Sequence, residues 1–157
     1  VSSSAGLFVL RGARFHRAFA CWRRKSRREA PDNARMTRRD RGKAAEERVA
    51  QHLREAGFEL LARNLYVGRT EIDIVARRGV LLVFCEVRSR RSDDYGHPAL
   101  SLSRDKRRRL RIAAARWLRS HPAPFAHIRF DIATLTGDLQ DESSLAAARL
   151  EYFPNAF

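Results

Sequence analysis

The sequence of 157 residues has only two cysteines, Cys21 and Cys85, and no cluster of Cys and His at zinc-ligand spacing. It therefore lacks the signals of a disulfide-rich scaffold or a zinc site, and we expect a reducing, cytoplasmic location. Long apolar runs are also missing, since the most apolar N-terminal run, AGLFVL, stops after six residues at Arg11. A secretion signal core or a membrane span needs a longer run, so we expect neither.

Lysine is scarce in a chain that is otherwise strongly basic. Lys25, Lys43 and Lys106 are the three lysines among 32 basic residues, which face 18 acidic ones. The net charge is +14 and the isoelectric point is about 11.3. Such a charge favours a polyanionic partner, either nucleic acid or an anionic membrane surface.

The basic charge is divided between an N-terminal tail and the remainder of the chain. Residues 1–35 carry nine basic and two acidic residues, with a Ser-rich start and a break at REAPDN. We expect a disordered extension; a phosphate-binding arm, a short amphipathic helix and an upstream extension before Met36 are open interpretations. Residues 36–157 carry 23 basic and 16 acidic residues and are predicted to form one domain.

Apolar periodicity in residues 36–157 predicts the order α-β-β-β-α-β-β. The predicted elements are a helix over 37–56, a strand over 58–67, two strands within 70–90, a helix over 104–120, and the strands HIRFDIATL and ARLEYF. A short helical turn is expected in the acidic loop before the last strand. This order predicts an α/β or α+β fold with one mixed sheet flanked by helices.

Three carboxylates interrupt the two apolar strands of the stretch TEIDIVARRGVLLVFCEVRSR. A tight turn with Gly79 as its second residue would place Glu71 opposite Glu86 and leave Asp73 diagonal to it. A turn longer by two would place Asp73 directly opposite Glu86. Both registers bring carboxylates together on neighbouring strands.

Carboxylates this close repel each other and need a compensating charge. Mg²⁺ or Mn²⁺ would supply it, because these ions prefer carboxylate oxygen. Salt bridges with Arg69, Arg88 or Arg90 would supply it equally well, and both interpretations are open. Glu46 borders the buried stripe of the first helix, so it is either a third arm of the acidic site or a partner of Lys43.

Five blocks occur in order over about residues 38–157: RGKAAEERVAQHLREAGFELLARNLYVGRTEIDIVA, LLVFCEVRSR, YGHPALSLSRDKRRRLRIAAARWL, IRFDIA and the terminal NAF. Together they resemble the bacterial YraN family, which is similar to restriction-endonuclease-like enzymes of the PD-(D/E)XK nuclease superfamily. The resemblance implies an α-β-β-β-α-β nuclease core with a central mixed sheet. It also implies that Asp73 and Glu86 match the metal-binding acids, Glu46 the first-helix acid, and Glu71 the other acid of the family's GEID block.

The chain departs from the family at three positions. Thr70 and Ala45 stand where the family has Gly, and Arg88 stands where the ExK element has Lys. An arginine side chain stays protonated, so it cannot act as a general base. It can still bind a phosphate bidentately and stabilise developing negative charge.

The resemblance implies an endonuclease-like phosphodiesterase that uses Mg²⁺ or Mn²⁺ and acts on DNA, with selectivity for structure rather than sequence. Asp73, Glu86 and Glu71 would hold metal, and Glu46 and Arg88 would complete the catalytic set. Cations of the second helix would track the backbone: Arg104, Lys106, Arg107, Arg108 and Arg111. The alternatives are a non-catalytic nucleic-acid-binding module and a membrane-surface or protein-interaction role of the tail. RNA as substrate and a homodimer also stay open.

Overall fold

The computed structural model describes residues 36–91 and 102–157, and its elements follow the predicted order. They are α1 (Arg38–Glu55), β1 (Glu59–Val67), β2 (Thr70–Arg78), β3 (Leu81–Arg90), α2 (Arg104–Ser120), β4 (His127–Thr136), α3 (Glu142–Ala147) and β5 (Arg149–Phe153). The prediction of a disordered extension over residues 1–35 lies outside the described residues.

The five strands form one mixed sheet in the order β1-β2-β3-β4-β5. Neighbouring strands are antiparallel except β3 and β4, which are parallel and are joined by the crossover that contains α2. Buried side chains of α1 pack on one face of the sheet and those of α2 on the other. This architecture confirms the predicted α+β class and the α-β-β-β-α-β order of a restriction-endonuclease-like core.

Local capping explains why both long helices begin where the sequence predicts. The Thr37 hydroxyl accepts from the Asp40 amide and forms a capping box with it. The Ser103 hydroxyl accepts from the Lys106 amide and caps the N-terminus of α2. Gly57, with φ 81°, follows α1 and ends it.

The β2–β3 hairpin has the strand register predicted for a longer turn, but the turn itself contains two residues. The register with Gly79 as the second turn residue is wrong by two residues. Arg78 pairs with Leu81, and Ile74 pairs with Cys85. The turn residues are therefore Gly79 and Val80. Gly79 has φ 58° and is the first of the two, a position that favours glycine in two-residue hairpin turns.

The alternation of side chains along β2 breaks at Asp73. Residues two apart on a strand normally share a face, yet Ile72 packs in the core beneath α2 and Ile74 in the core beneath α1. On the paired strand β1, Asn64 lies between the partners of these two residues and has φ 48°. The side chains of β2 thus change the face of the sheet to which they point at Asp73. This change leaves the Asp73 carboxylate at the boundary between the two cores.

Candidate active site

The candidate site lies where β2 separates from β3. The ladder between these strands ends at Ile74 and Cys85, whereas β3 stays paired with β4 as far as Arg90. Beyond the end of the ladder, the Val87 amide donates to Asp73 Oδ2 at 2.7 Å. Asp73 therefore replaces a backbone partner of β3 and is held next to Glu86.

Glu86 is buried, with 5% of its surface exposed, and two cations lie against its carboxylate. Lys106 Nζ is 3.2 Å from Oε2, and Arg88 Nη1 is 3.7 Å from Oε1. The lysine is close enough for an ion pair, but Oε2 makes no hydrogen bond. The two groups therefore attract each other by charge alone, without the alignment of a hydrogen bond. Arg88 shares a face of β3 with Glu86, as the spacing of two residues predicts.

Burial and the negative charge of Glu86 raise the pKa of Asp73 from 3.8 to about 7. The charge of Glu46 acts in the same direction, while the Val87 amide and the Lys106 ammonium oppose the rise. Two carboxylates in one poorly solvated place cannot both ionise without cost. Burial beside Glu86 therefore favours the protonated form of Asp73, and a positively charged ligand would favour its ionised form.

Three buried side-chain oxygens on α1, β3 and β4 make no hydrogen bond in the described part of the chain. They are Glu46 Oε2, Glu86 Oε2 and Thr134 Oγ1. Thr134 is fully buried on β4 and pairs in register with Arg88 on β3. Buried polar atoms in native proteins nearly always have a partner, which can be ordered water or an ion. Glu86 and Thr134 lie on neighbouring strands, and the charge of Glu46 reaches Asp73, so these oxygens are candidate acceptors for a polar ligand at the acidic site.

The site fits a divalent metal ion that is held by two carboxylates. Within residues 36–91 and 102–157, no three side chains of His, Cys, Asp or Glu are grouped closely enough to hold a metal ion. Mg²⁺ is nevertheless commonly bound by one or two carboxylates together with water and substrate phosphates. Asp73 and Glu86 meet that requirement, with Glu46 near enough to raise the pKa of Asp73.

Asp131 shows how a structural acid in the same sheet differs from this pair. It is fully buried on β4, yet its carboxylate accepts from Arg129 Nε and Nη2 at 2.8 Å each, from the Tyr152 hydroxyl and from the Asn155 amide. These bonds satisfy its oxygens and tie β5 and the C-terminus to β4. Glu86 and Glu46 have no comparable set of donors on their orphaned oxygens.

The structure places the remaining acid predicted as a ligand away from the pair. Glu71 lies opposite Tyr66 on β1, and its carboxylate raises the pKa of that exposed phenol. Asp73 is thus brought beside Glu86, with Glu46 near enough for its charge to act on Asp73, whereas Glu71 faces the neighbouring strand. Its role as a metal ligand stays a prediction.

The cations predicted on α2 separate into two groups. Arg104, Arg108 and Arg111 are exposed and follow one another at i, i+4 and i+7, so they form a single stripe. Arg107 Nε donates to the Leu102 carbonyl at 2.9 Å. Lys106, which the sequence groups with the backbone-tracking cations, directs its ammonium to Glu86.

Sequence reasoning missed the place of Lys106 and of Thr134 in the site. For Lys106 one signal was available, because it is one of three lysines in a chain with 32 basic residues. For Thr134 there was none, since a threonine within an apolar strand is typical of a sheet core.

Neither long helix in the described ranges has an apolar stretch of membrane-spanning length.

Comparisons with known proteins give one consistent family. The sequence model of the uncharacterised protein family UPF0102 matches residues 45–135. A UPF0102 protein of Parafrankia sp. is 42% identical over 116 residues, which are 74% of this chain and 94% of the relative. A UPF0102 protein of Dictyoglomus turgidum is 37% identical over 122 residues, which are 78% of this chain and 100% of the relative. A UPF0102 protein of Yersinia pseudotuberculosis is 40% identical over 124 residues, which are 78% of this chain and 97% of the relative.

Proposed function

We propose that this chain, which belongs to the uncharacterised protein family UPF0102, is a divalent-metal-dependent endonuclease that acts on DNA. One observation carries the proposal: Asp73 and Glu86 converge at the end of the β2–β3 ladder with two cations beside them. The raised pKa of Asp73 supports it, because strongly perturbed carboxylates are typical of functional sites. The high positive charge of the chain supports a nucleic-acid substrate.

In this proposal each residue has a role that follows from its position. Asp73 and Glu86 would hold Mg²⁺ or Mn²⁺, which supplies an activated water and offsets charge on the scissile phosphate. Arg88 and Lys106 would lie beside that phosphate and stabilise the negative charge that develops on it. Glu46 would accept a hydrogen bond from the attacking water and orient it, which also satisfies its orphaned oxygen.

The cations outside the acidic site indicate the kind of substrate. Arg104, Arg108 and Arg111 would contact successive phosphates, which gives affinity without sequence information. Branched or flapped DNA is therefore favoured over a specific base sequence, and the reaction would occur in the cytoplasm. A homodimer is compatible with this function but is not required for it.

Cleavage of labelled DNA tests the proposal directly. The chain should cut branched or flapped DNA in Mg²⁺ or Mn²⁺ and should be inactive with a chelator. Asp73→Ala and Glu86→Ala should abolish cleavage, because each removes a metal-binding carboxylate. Glu55→Ala is the matched control, since Glu55 is exposed at the end of α1. Cleavage that survives in both acid variants would come from another source and would contradict the proposal.

Binding by the α2 stripe predicts a specific change in salt dependence. Replacing Arg104, Arg108 and Arg111 by Ala should weaken binding to all duplex sequences alike. The slope of log affinity against log salt should fall by about 0.9 for each lost phosphate contact. Fluorescence anisotropy over a salt series, with a chelator present, measures this slope. An unchanged slope would remove α2 from the interface.

A non-catalytic nucleic-acid-binding module is the second candidate, and one observation favours it. Lys106 and Arg88 already lie against Glu86, so its charge is compensated without a metal. In that case the chain should bind DNA with the same salt dependence but cut none of the substrates. The metal-dependent cleavage experiment separates the two candidates.

A further inference from the structure

A strongly basic pocket, separate from the acidic site, lies at the carboxyl ends of the parallel strands β3 and β4. Its volume is about 220 Å³, and its lining includes Arg38 and Arg41 of the first turns of α1, Arg90 and Arg91 at the end of β3, and Asp138 after β4. In open sheets, ligands commonly bind outside the carboxyl ends of parallel strands. This pair is the parallel pair of the described sheet.

The described lining of the pocket is mainly cationic. It contains four guanidinium groups and one carboxylate, that of Asp138, which also accepts from Gln140 Nε2 at 2.9 Å. The arginines come from two segments about fifty residues apart in the chain, so the fold, and not a local charge run, brings them together. The N-terminus of α1 adds the positive end of the helix dipole. Like charges gathered in this way are stabilised by a bound anion.

The size and chemistry of the pocket favour a phosphate group. Its volume is below the ~300–1,000 Å³ of pockets that enclose drug-sized ligands, so the occupant is small. Guanidinium groups present paired donors that match phosphate oxygens bidentately. Ser89, which also lines the pocket, offers a hydroxyl donor.

The pocket and the acidic site are joined by β3. Glu86 and Arg90 are four residues apart, which corresponds to about 13 Å along a strand. We propose that this pocket binds a non-scissile backbone phosphate of the same nucleic-acid strand whose scissile phosphate lies at Glu86. The inference rests on the proposed function for the identity of the strand, and it assigns the site that fixes the strand's position along β3.

Binding measured without metal tests this pocket separately from cleavage. The double variant Arg38→Ala/Arg41→Ala should bind a 12-nucleotide single-stranded DNA at least about tenfold more weakly than the wild type, in chelator. Its salt slope should fall by about 0.7 for the lost phosphate contact. Its thermal stability should be equal or higher, because cations at a helix N-terminus oppose the dipole.

The charge-matched control is Arg54→Ala/Arg119→Ala. Both residues are exposed, and Arg54 lies thirteen residues after Arg41 on the same helix, about 20 Å away. This control should keep the affinity and the slope of the wild type. Equal losses in the two double variants would mean that only net charge matters, which would overturn the pocket assignment.

Inorganic pyrophosphate distinguishes a strand phosphate from a free one. If pyrophosphate stabilises the wild type but not Arg38→Ala/Arg41→Ala while DNA binding is the same in both, the pocket serves a free phosphate compound and the strand assignment is wrong. If the wild type never cuts DNA, the proposed nuclease is contradicted. If Arg38→Ala/Arg41→Ala nevertheless loses DNA binding, the pocket assignment is supported. Cleavage that needs Asp73 and Glu86 yet is unaffected in rate and KM by Arg38→Ala/Arg41→Ala would contradict the pocket alone.

Discussion

Asp73→Asn should make the metal-free protein more stable at pH 8, and this gain should disappear as the pH falls to about 4. In the folded chain the pKa of Asp73 is raised from 3.8 to about 7, mainly by burial and by Glu86. At about 1.4 kcal/mol per tenfold change in proton affinity, ionising Asp73 in the folded state costs up to about 4 kcal/mol. Asparagine carries no charge, and its side-chain oxygen can still accept from the Val87 amide.

The direction of the pH dependence follows from proton binding. Between about pH 4 and pH 7 the folded wild type keeps a proton on Asp73 that the unfolded chain has lost. Wild-type stability should therefore fall as the pH rises through this window, and Asp73→Asn should flatten the curve. Urea unfolding at several pH values measures both, with Glu55→Gln as the control at an exposed position. A variant less stable than the wild type at pH 8 would favour a stabilising salt bridge instead.

Bound metal should reverse the order of stability of the wild type and Asp73→Asn. Mg²⁺ or Mn²⁺ binds the ionised carboxylates of the folded chain, so it should raise the melting temperature of the wild type at pH 8. Asp73→Asn should lose this rise. The same substitution thus stabilises the metal-free chain and removes metal stabilisation, a combination that a purely structural carboxylate does not produce.

Helix boundaries were predictable from sequence because local chemistry decides them. Thr37 and Ser103 carry the hydroxyls that cap α1 and α2, and Gly57 supplies the positive φ that follows α1. The hairpin register was not, because glycine is accepted at either central position of a two-residue turn. Moving Gly79 from the second position to the first shifts every cross-strand pair by two residues.

The acidic pair and the nearby Arg88 were predictable, and the position of Lys106 was not. Asp73 and Glu86 lie on sequence-adjacent strands, and both registers brought carboxylates together. Lys106 reaches Glu86 only because α2 crosses over the sheet between the parallel strands β3 and β4. The arginine pocket likewise depends on α1 meeting the end of β3, a contact that periodicity within single segments does not encode.

Lys106→Met should reduce cleavage by about 10²–10³-fold while changing DNA affinity little. Lys106 Nζ lies 3.2 Å from Glu86 Oε2, whereas Arg88 contacts the other oxygen, Oε1. In this position its charge would act on the scissile phosphate and contribute little to binding elsewhere along the strand. The expected signature is a fall in kcat with KM nearly unchanged.

A structural role of Lys106 must be distinguished from a catalytic one. Removing one partner of a buried ion pair destabilises a protein, so the fold of Lys106→Met is checked by its unfolding transition. Lys106→Arg keeps the charge and should recover much of the lost cleavage. If Lys106→Met is folded and cuts DNA as fast as the wild type, the lysine only neutralises Glu86.

Arg88 decides between an enzyme and a binding module. Arg88→Lys keeps a cation on the face of β3 that carries Glu86, so it should retain or raise cleavage, whereas Arg88→Ala should depress cleavage much more than DNA binding. The measurement is single-turnover cleavage of flapped, branched and single-stranded DNA beside anisotropy binding. If the wild type cuts none of these and Arg88→Lys does, the chain is a disabled nuclease used for binding. If neither version cuts while both bind DNA, the catalytic proposal fails and Lys106 and Arg88 are salt-bridge partners of Glu86.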